Sequence, residues 1–281
     1  MRLLSANYES AQPQPFDLTE IKQRQQKAWS SGDYTMFGAA FLIISELLCE
    51  AVDLRSGQKV LDVATGSGNT ALAAARRFCE VTGVDYVPAL LERGRERAAA
   101  ERLEVSFREG DAEDIPFPDA SFDVVLSTVG TMFAPDQEKA AAELLRACRP
   151  GGTIGLANWT PDSFTAKMNE VFARYLPPPP GLKPPMRWGT EEGLRELLGS
   201  GLSDLLTVRR SFVFRYRSAR HYLEMLQTNL GPTLEAFKRL DPAQREGLEA
   251  DLADLIGRFN RSNDGTMVVP SDYLEVVAVR R

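Results

Sequence analysis

The sequence has little of what metal sites, disulfide frameworks and nucleic-acid surfaces need. Histidine occurs once, and the three cysteines, Cys49, Cys79 and Cys148, are odd in number and widely spaced. No disulfide framework or metal-ligand spacing is visible, and we interpret the cysteines as buried thiols in helical segments of a cytoplasmic protein.

Lys and Arg total 33 against 39 for Asp and Glu. The net charge of −6 disfavours binding to phosphate backbones, so we expect no nucleic-acid partner.

Long apolar runs are also missing. The longest, residues 36–44, ends at Ser45 and Glu46, which predicts no membrane insertion. The chain has 281 residues, of which 43% are hydrophobic, and can bury an ample core. We predict an N-terminal arm with a short helix over residues 1–35. The main domain would cover residues 36–281, with residues 161–262 contributing a cap over the substrate.

A strand, a glycine turn and a helix follow one another within residues 59–77. An apolar run at 60–64 precedes Thr65-Gly66-Ser67-Gly68-Asn69, after which Ala and Leu recur at helical spacing. Gly66 and Gly68 suit a chain that turns directly from a buried strand into a helix, because glycine tolerates positive φ and leaves room for a ligand. The N-terminus of the helix can hold a carboxylate or a phosphate. Dinucleotides and S-adenosylmethionine are therefore the two ligand classes.

Asp62 helps to choose between these ligands. The spacing Gly66-x-Gly68-x-x-Ala71 also fits the looser dinucleotide fingerprint. Because parallel strands are buried on both faces, a dinucleotide fold would usually have an aliphatic residue at the position of Asp62. An acid there suits a ligand that carries an amine. The pattern Asp-x-x-x-Gly-x-Gly resembles motif I of the class I S-adenosylmethionine-dependent methyltransferases.

Further motifs similar to those of this family follow in the expected order, so that the resemblance covers roughly residues 36–160. They are Val81-Thr82-Gly83-Val84-Asp85-Tyr86, Arg108-Glu109-Gly110-Asp111-Ala112-Glu113, Phe117-Pro118-Asp119-Ala120-Ser121-Phe122-Asp123-Val124-Val125, and Arg149-Pro150-Gly151-Gly152. The resemblance implies an α/β fold with a doubly wound, Rossmann-like sheet of seven strands. The last two strands would form an antiparallel edge, and a helical cap would be inserted near the C-terminus.

The resemblance also implies S-adenosylmethionine as the cofactor and assigns contacts to it. Asp85 would accept hydrogen bonds from both ribose hydroxyls, and Asp111 would accept one from the adenine amino group. The alternatives are structural: Asp85 could cap the following helix, and Asp111 could bond its own turn. For Tyr34 and Thr128 the alternative is packing in the core. The predicted cofactor contacts are Tyr34, Asp62, Ala64, Gly66, Gly68, Asp85, Tyr86, Asp111, Ala112 and Thr128.

The region after Trp159 carries apolar and aromatic residues at helical spacing and is the predicted acceptor pocket. The alternative is that these side chains only join the cap to the sheet. The predicted pocket residues are Trp159, Tyr222 and Met225, with Phe164, Met168 and Phe172 as further candidates.

His221, the only histidine, is the leading candidate for a catalytic general base. A base matters only if the acceptor must lose a proton, and a lone histidine is more often a surface or core residue. The one basic cluster is either a solvated strand edge, which we favour, or a device that steers an anionic acceptor. Its members are Arg209, Arg210, Arg215, Arg217 and Arg220.

These observations predict an enzyme that transfers a methyl group from S-adenosylmethionine to an O, N or C nucleophile of a small molecule by direct displacement. No metal is expected, because a neutral thioether leaves and no ligand cluster is visible.

The chain is also similar to ubiquinone/menaquinone-biosynthesis C-methyltransferases, so methylation of a quinone ring is an alternative. A second alternative is a non-catalytic S-adenosylmethionine-binding protein. A NAD-dependent dehydrogenase is disfavoured by Asp62 and by Asp111-Ala112. The acceptor and the oligomeric state stay open.

Overall fold

One mixed sheet of seven strands organises the protein, whose computed structural model describes residues 17–281. The strands are β1 (Lys59–Val63), β2 (Glu80–Asp85), β3 (Val105–Glu109), β4 (Phe122–Thr128), β5 (Cys148–Trp159), β6 (Leu202–Tyr216) and β7 (Met267–Arg280). Their order in the sheet is β3-β2-β1-β4-β5-β7-β6. The first five are parallel, and β7 pairs antiparallel with both β5 and β6. The predicted α/β fold with an antiparallel edge is confirmed.

Helices flank this sheet and connect β1 to β2, β2 to β3 and β4 to β5, whereas β3 is joined to β4 without a helix. They are α1 (Leu18–Trp29), α2 (Tyr34–Gly38), α3 (Leu42–Ala51), α4 (Asn69–Ala75), α5 (Pro88–Glu101), α6 (Gln137–Ala147), α7 (Phe164–Tyr175), α8 (Glu191–Leu198), α9 (Ala219–Asn229), α10 (Gly231–Arg239) and α11 (Pro242–Phe259). The strand order reverses between β1 and β4, and ligands of such sheets bind beside the carboxyl ends of the strands at this switch point.

Residues 231–259 form two helices, α10 and α11, rather than one. Proline at the first position of α11 has no N–H to continue α10. Asp241 caps α11, with its side chain accepting from the N–H of Gln244, and the Gln244 side chain accepts from the N–H of Asp241. This capping box starts a new helix immediately after α10.

All three cysteines are buried, as predicted, but only Cys49 lies in a helix. Cys79 precedes β2, and Cys148 is the first residue of β5. The extended conformation at Cys148 leads into Arg149, whose backbone is restricted to the extended region by Pro150. The helical prediction for Cys79 and Cys148 is therefore wrong.

The cap helices α7, α9, α10 and α11 are continuous with the main core. Tyr222, Leu226 and Leu248 are fully buried within it. Helix α1 packs on α10, where Gly231 approaches the carbonyl of Ala28 so closely that no side chain fits. The predicted arm over residues 1–16 lies outside the described residues.

The helical stretch from Tyr34 to Ala51 is long and apolar enough to cross a membrane by length and composition alone. It consists of α2, a 3-10 turn at Ala39–Phe41 and α3. Phe37, Ile44 and Leu48 on this stretch are buried in the main core. A helix of the core meets the same criteria, so the stretch is weak evidence for a membrane segment.

Candidate active site

The turn after β1 combines three residues with left-handed backbone. Ala64, Gly66 and Gly68 have φ values of 54°, 55° and 85°. The N–H of Gly66 donates to Oδ2 of Asp85 at 2.9 Å, which ties the turn to the end of β2. A Cβ on Gly68 would lie 2.9 Å from Cζ of Phe107, so this glycine allows a close approach to β3.

Asp62 holds this turn against the start of α4. Its Oδ2 accepts from Oγ1 of Thr65 at 2.5 Å and from the N–H of Ala71 at 3.0 Å. The residue is 1% exposed, and burial raises the pKa of its carboxyl to about 7 despite these two hydrogen bonds. An aliphatic residue would leave both donors without this acceptor.

Asp85 ends β2, where both of its oxygens accept backbone hydrogen bonds. Oδ1 accepts from the N–H of Val87, and Oδ2 accepts from that of Gly66, each at 2.9 Å. Val87 is the N-cap residue of α5, and no side chain caps this helix, so the hydrogen bond from Val87 fixes the turn before α5 and Asp85 does not cap the helix. Burial raises the pKa of Asp85 to about 6, although the backbone hydrogen bonds act in the opposite direction. Each oxygen keeps a second lone pair for a ligand hydroxyl.

Asp111 similarly makes the turn bond that was its structural alternative. Its Oδ1 accepts from the N–H of Glu113 at 2.9 Å, while its Oδ2 lies 2.5 Å from Nζ of Lys22. Lys22 also pairs with Oε2 of the buried Glu113 at 2.5 Å. Burial alone would lower the pKa of Lys22, but its bonds to the two acids raise it overall. Sequence analysis missed Lys22 and Glu113.

The residues of these turns surround a cavity that we call the polar cleft. Nine of the ten predicted cofactor residues line it, and the exception is Gly68, whose role is packing on Phe107. Thr128 belongs to a chain of hydroxyls, in which Oγ1 of Thr70 donates to Oγ1 of Thr128 at 2.8 Å and lies 3.0 Å from Oγ of Ser45. The nine are Tyr34, Asp62, Ala64, Gly66, Asp85, Tyr86, Asp111, Ala112 and Thr128.

Helix α1 closes the polar cleft on one side. Lys22, Gln25 and Trp29 line it, and the side-chain amide of Gln26 donates to the carbonyl of Tyr86 at 2.5 Å. The sequence offered no signal for the contacts of Lys22 and Gln26, because their partners lie 60 or more residues further along the chain.

A second cavity, which we call the apolar cavity, lies between the cap and the sheet and has a volume of about 380 Å³. Of the predicted acceptor residues, Trp159 and Tyr222 line it. Met168 and Phe172, the further candidates on α7, line it as well. Sequence analysis missed the contributions of α1, α2 and α10, whose residues in the lining include Trp29, Phe37, Thr233 and Arg239.

Three predicted residues are not brought to either cavity, namely Phe164, Met225 and His221. Phe164 is 1% exposed and packs on Phe214 and Phe259 in the core. Met225 lies three residues after Tyr222 on α9 but outside the linings of both cavities, and its sulfur lies 3.5 Å from the side-chain amide of Asn229. The prediction of Met225 as a pocket residue is wrong.

His221 lies at the start of α9, outside the linings of both cavities. Its ring packs on Tyr216 with 5.6 Å between centroids, and Nδ1 accepts a 3.4 Å hydrogen bond from the N–H of Arg217. The structure therefore gives it no contact with the site from which it could act as a base.

The basic cluster on β6 and α9 is largely paired with acids. Arg209 contacts Asp162 and Asp272, Arg210 pairs with Glu275, and Arg220 pairs with Glu224. No member of the cluster lines either cavity. This favours the strand-edge interpretation over steering of an acceptor.

The polar cleft and the apolar cavity adjoin each other. Six side chains line both, namely Gln25, Trp29, Tyr34, Phe41, Val129 and Phe133. Val129 has a φ of 52°, which is rare for a β-branched residue, and its N–H donates to the carbonyl of Ala157 at 2.8 Å. Such strained backbone is concentrated at functional sites. Burial and the charge of Asp85 raise the pKa of Tyr34 to about 12, so its hydroxyl stays protonated.

Within residues 17–281, no group of three or more His, Cys, Asp or Glu side chains could hold a metal ion.

Comparisons with known proteins agree with this geometry. A family model described as a methyltransferase domain matches residues 60–152. An uncharacterized protein of Mycobacterium tuberculosis is 36% identical over 258 residues, which cover 90% of this chain and 93% of that protein. Demethylmenaquinone methyltransferase of Deinococcus radiodurans is 39% identical over 127 residues, covering 43% of this chain and 53% of the enzyme. The fold matches the crystal structure of the YcgJ protein from Bacillus subtilis with a TM-score of 0.60 and 19% identity, covering 85% of this chain and 98% of that one.

The fold, the ordered motifs and these likenesses define a methyltransferase. Residues 60–152 are a methyltransferase domain, and the sheet around them has the fold of the class I type.

Proposed function

We propose that this protein binds S-adenosylmethionine in the polar cleft and transfers its methyl group to a small, largely apolar molecule in the apolar cavity. The observation that carries the proposal is the shared wall of the two cavities, which are lined in common by six side chains. We therefore expect a ligand in one cavity to lie beside a ligand in the other. We expect the protein to act in the cytoplasm.

The side chains that line the polar cleft suit the chemistry of the cofactor. Gly66 leaves open the space where a Cβ would lie 3.7 Å from the ring of Tyr34. Asp85 has lone pairs for the ribose hydroxyls, while Asp111 and the N–H of Ala112 would hold the adenine. Asp62 lines the same cleft, and the second oxygen of its carboxylate could accept from the amine of the methionine end.

The reaction would depend on alignment rather than on acid–base chemistry. S-adenosylmethionine, when bound, supplies an electrophilic methyl group and a neutral thioether as the leaving group. Tyr34, Val129 and Phe133 would enclose the place where the two ligands meet and exclude water from it. Holding the reactants in line and away from water accounts for much of the rate of such transfers. No residue is required to coordinate a metal.

Two other functions compete with this proposal. A quinone ring is an apolar acceptor and would suit the apolar cavity, but the likeness to demethylmenaquinone methyltransferase covers only 43% of this chain. A non-catalytic protein would bind the cofactor without turnover. Both are distinguished from the proposal by the products that the protein forms.

Calorimetry with S-adenosylhomocysteine would test the cofactor site, and we expect one molecule bound per chain. Incubation of the protein with cell metabolites and S-adenosylmethionine carrying a labelled methyl group would then identify the acceptor. We expect label in a small apolar product that is extracted into organic solvent. Binding without labelled product would support the non-catalytic alternative, and no binding would refute the proposal.

A further inference from the structure

The charges that face the apolar cavity are unbalanced. Among the described residues, its lining contains no Asp, Glu, His, Lys or Cys, although the whole chain carries a net charge of −6. Arg239, the last residue of α10, is the charged residue in the lining, and it is also exposed to solvent. The cavity is therefore apolar over most of its surface and positive at one place.

Arg239 has no acidic partner within residues 17–281. Glu235 lies one turn earlier on α10, but it pairs with Lys238 at 2.7 Å and accepts from Oγ of Ser31 at 3.0 Å. The carboxylate of Asp241, two residues after Arg239, caps α11. The guanidinium is thus available to an acceptor, and a guanidinium pairs well with carboxylates and similar planar anions.

The other ionisable groups near the cavity cannot serve as a base or as a negative partner. Tyr34 and Tyr222 line it, and burial raises the pKa of each above its ordinary value. Asp62 and Asp85 lie in the polar cleft, where they accept backbone hydrogen bonds. An acceptor that had to lose a proton to become nucleophilic would find no group in the lining of the apolar cavity to take it.

We propose that the native acceptor binds in the apolar cavity as a monoanion, with an apolar body among the aromatic side chains and its negative charge facing Arg239. This inference rests on the proposed function and specifies its substrate class. The charge of such an acceptor is delocalised, so that one atom of the anionic group faces Arg239 while another forms the bond to the methyl carbon with one of its own electron pairs. The electron pair of the broken carbon–sulfur bond stays on sulfur, and no proton has to move.

The balance of charge favours an anion over an amine in this environment. An anion that attacks a sulfonium yields two neutral groups, and charges that disappear in an apolar site no longer need solvation. An amine would instead become a cation in a cavity that offers no carboxylate and already faces Arg239.

Binding of matched probes tests this inference without turnover. We would saturate the protein with S-adenosylhomocysteine and titrate it by calorimetry with 2-naphthoate, 2-naphthamide and 2-naphthylmethylammonium. These probes share an aromatic body and carry a charge of minus one, zero and plus one. We expect 2-naphthoate to bind at least about tenfold more tightly than 2-naphthamide, and the cation to bind most weakly.

The variants Arg239→Gln and Lys238→Gln form a matched pair on α10. Arg239→Gln should remove most of the preference for 2-naphthoate over 2-naphthamide, whereas Lys238→Gln should keep it. Equal binding of the two probes by the native protein, failure of 2-naphthoate to bind, or an unchanged preference in Arg239→Gln would each overturn the inference. An amine found as the native acceptor would overturn it too, while leaving the methyltransferase function intact. Failure to bind S-adenosylhomocysteine would instead refute the proposed function.

Discussion

The Nζ atom of Lys22 on α1 lies 2.5 Å from Oδ2 of Asp111 after β3, although 89 residues separate them in the chain. The same ammonium group contacts Glu113, which is 3% exposed. This pair of contacts joins the first described helix to the carboxyl edge of the sheet. Helix α1 is thereby held over the polar cleft, where it covers the place proposed for the adenine.

Removing this ammonium group should destabilise the protein. In Lys22→Met, the buried carboxylate of Glu113 and that of Asp111 lose their cation, and we expect the free energy of unfolding to fall by about 1–3 kcal/mol. Affinity for S-adenosylhomocysteine should fall as well, because α1 covers the cleft. Lys27→Met on the exposed side of α1 is the control and should change stability by less than about 0.5 kcal/mol. Urea unfolding of both variants gives the comparison, and equal effects would show that the ion pair contributes nothing.

Replacing Asp85 by asparagine should weaken cofactor binding. The N–H groups of Gly66 and Val87 both donate to the carboxylate of Asp85. In the asparagine variant, one of them would face the NH2 group of the side chain, which cannot accept a hydrogen bond. We expect the affinity for S-adenosylhomocysteine to fall about 5- to 150-fold, which corresponds to about 1–3 kcal/mol. Asp254→Asn on the exposed surface of α11 should bind like the native protein. Native affinity in a folded Asp85→Asn variant would show that the ribose assignment is wrong.

The pKa of Asp62, about 7, predicts how stability depends on pH in the absence of cofactor. Because this pKa lies above that of an unfolded aspartate, the folded protein binds more protons between about pH 4 and pH 7. Stability should therefore fall as the pH rises through this range and should stop falling above pH 7. Asp85, with a pKa of about 6, contributes in the same direction. Glu138 acts oppositely, but its pKa of about 2 confines its effect to lower pH.

The variant Asp62→Asn isolates the contribution of this carboxyl. Thr65 and Ala71 both donate to the same oxygen of Asp62, so the amide oxygen of an asparagine can accept both hydrogen bonds. Urea unfolding of the native protein and the variant at several pH values should show a smaller slope between pH 4 and pH 7 in the variant. Parallel curves would mean that Asp62 does not titrate in this range.

Gly68 and Gly57 both have left-handed backbone, so that replacing each by alanine compares two sites with the same backbone strain. Their φ values are 85° and 81°, but a Cβ on Gly57 would meet nothing within 4 Å, whereas one on Gly68 would meet Phe107 at 2.9 Å. Gly57→Ala should cost about 1–2 kcal/mol through backbone strain. Gly68→Ala should cost about 1–3 kcal/mol more, because the ring of Phe107 has to shift. Thermal unfolding would measure both changes, and equal losses would show that the contact with Phe107 is accommodated freely.

The motif residues of the polar cleft could be predicted because short segments of sequence determine them. Asp62, Asp85 and Asp111 each lie at or near the end of a parallel strand, and parallel strands bring their carboxyl ends to one edge of the sheet. The start of α11 was also present in the sequence, since Asp241, Pro242 and Gln244 form a capping box with proline at the first helical position.

The acceptor side could be predicted less well because tertiary packing sets the rotation of the cap helices. Tyr222 and Met225 lie three residues apart on α9, yet of these two only Tyr222 lines the apolar cavity. The contacts of Lys22 and Arg239 depend on where α1 and α10 lie in space, which no local pattern reports. The same packing places Tyr222 and Leu248 in the main core. Deleting the cap would therefore open that core, and point substitutions are the better test of the cavity.

Filling the apolar cavity should separate acceptor binding from cofactor binding. Ala236 on α10 lines this cavity but not the polar cleft, so a phenyl ring in Ala236→Phe would occupy part of its volume of about 380 Å³. We expect methylation of the native acceptor to fall at least about tenfold, because the acceptor and the added ring compete for one space. Affinity for S-adenosylhomocysteine should stay within about twofold of the native value, since the nearest cofactor contacts belong to other elements.

The control is Ala243→Phe on the exposed side of α11, which adds the same ring outside the cavity and should leave both properties unchanged. Unaltered turnover in a folded Ala236→Phe protein would place the acceptor elsewhere, whereas an equal loss of cofactor affinity would show that the two cavities do not act as separate sites.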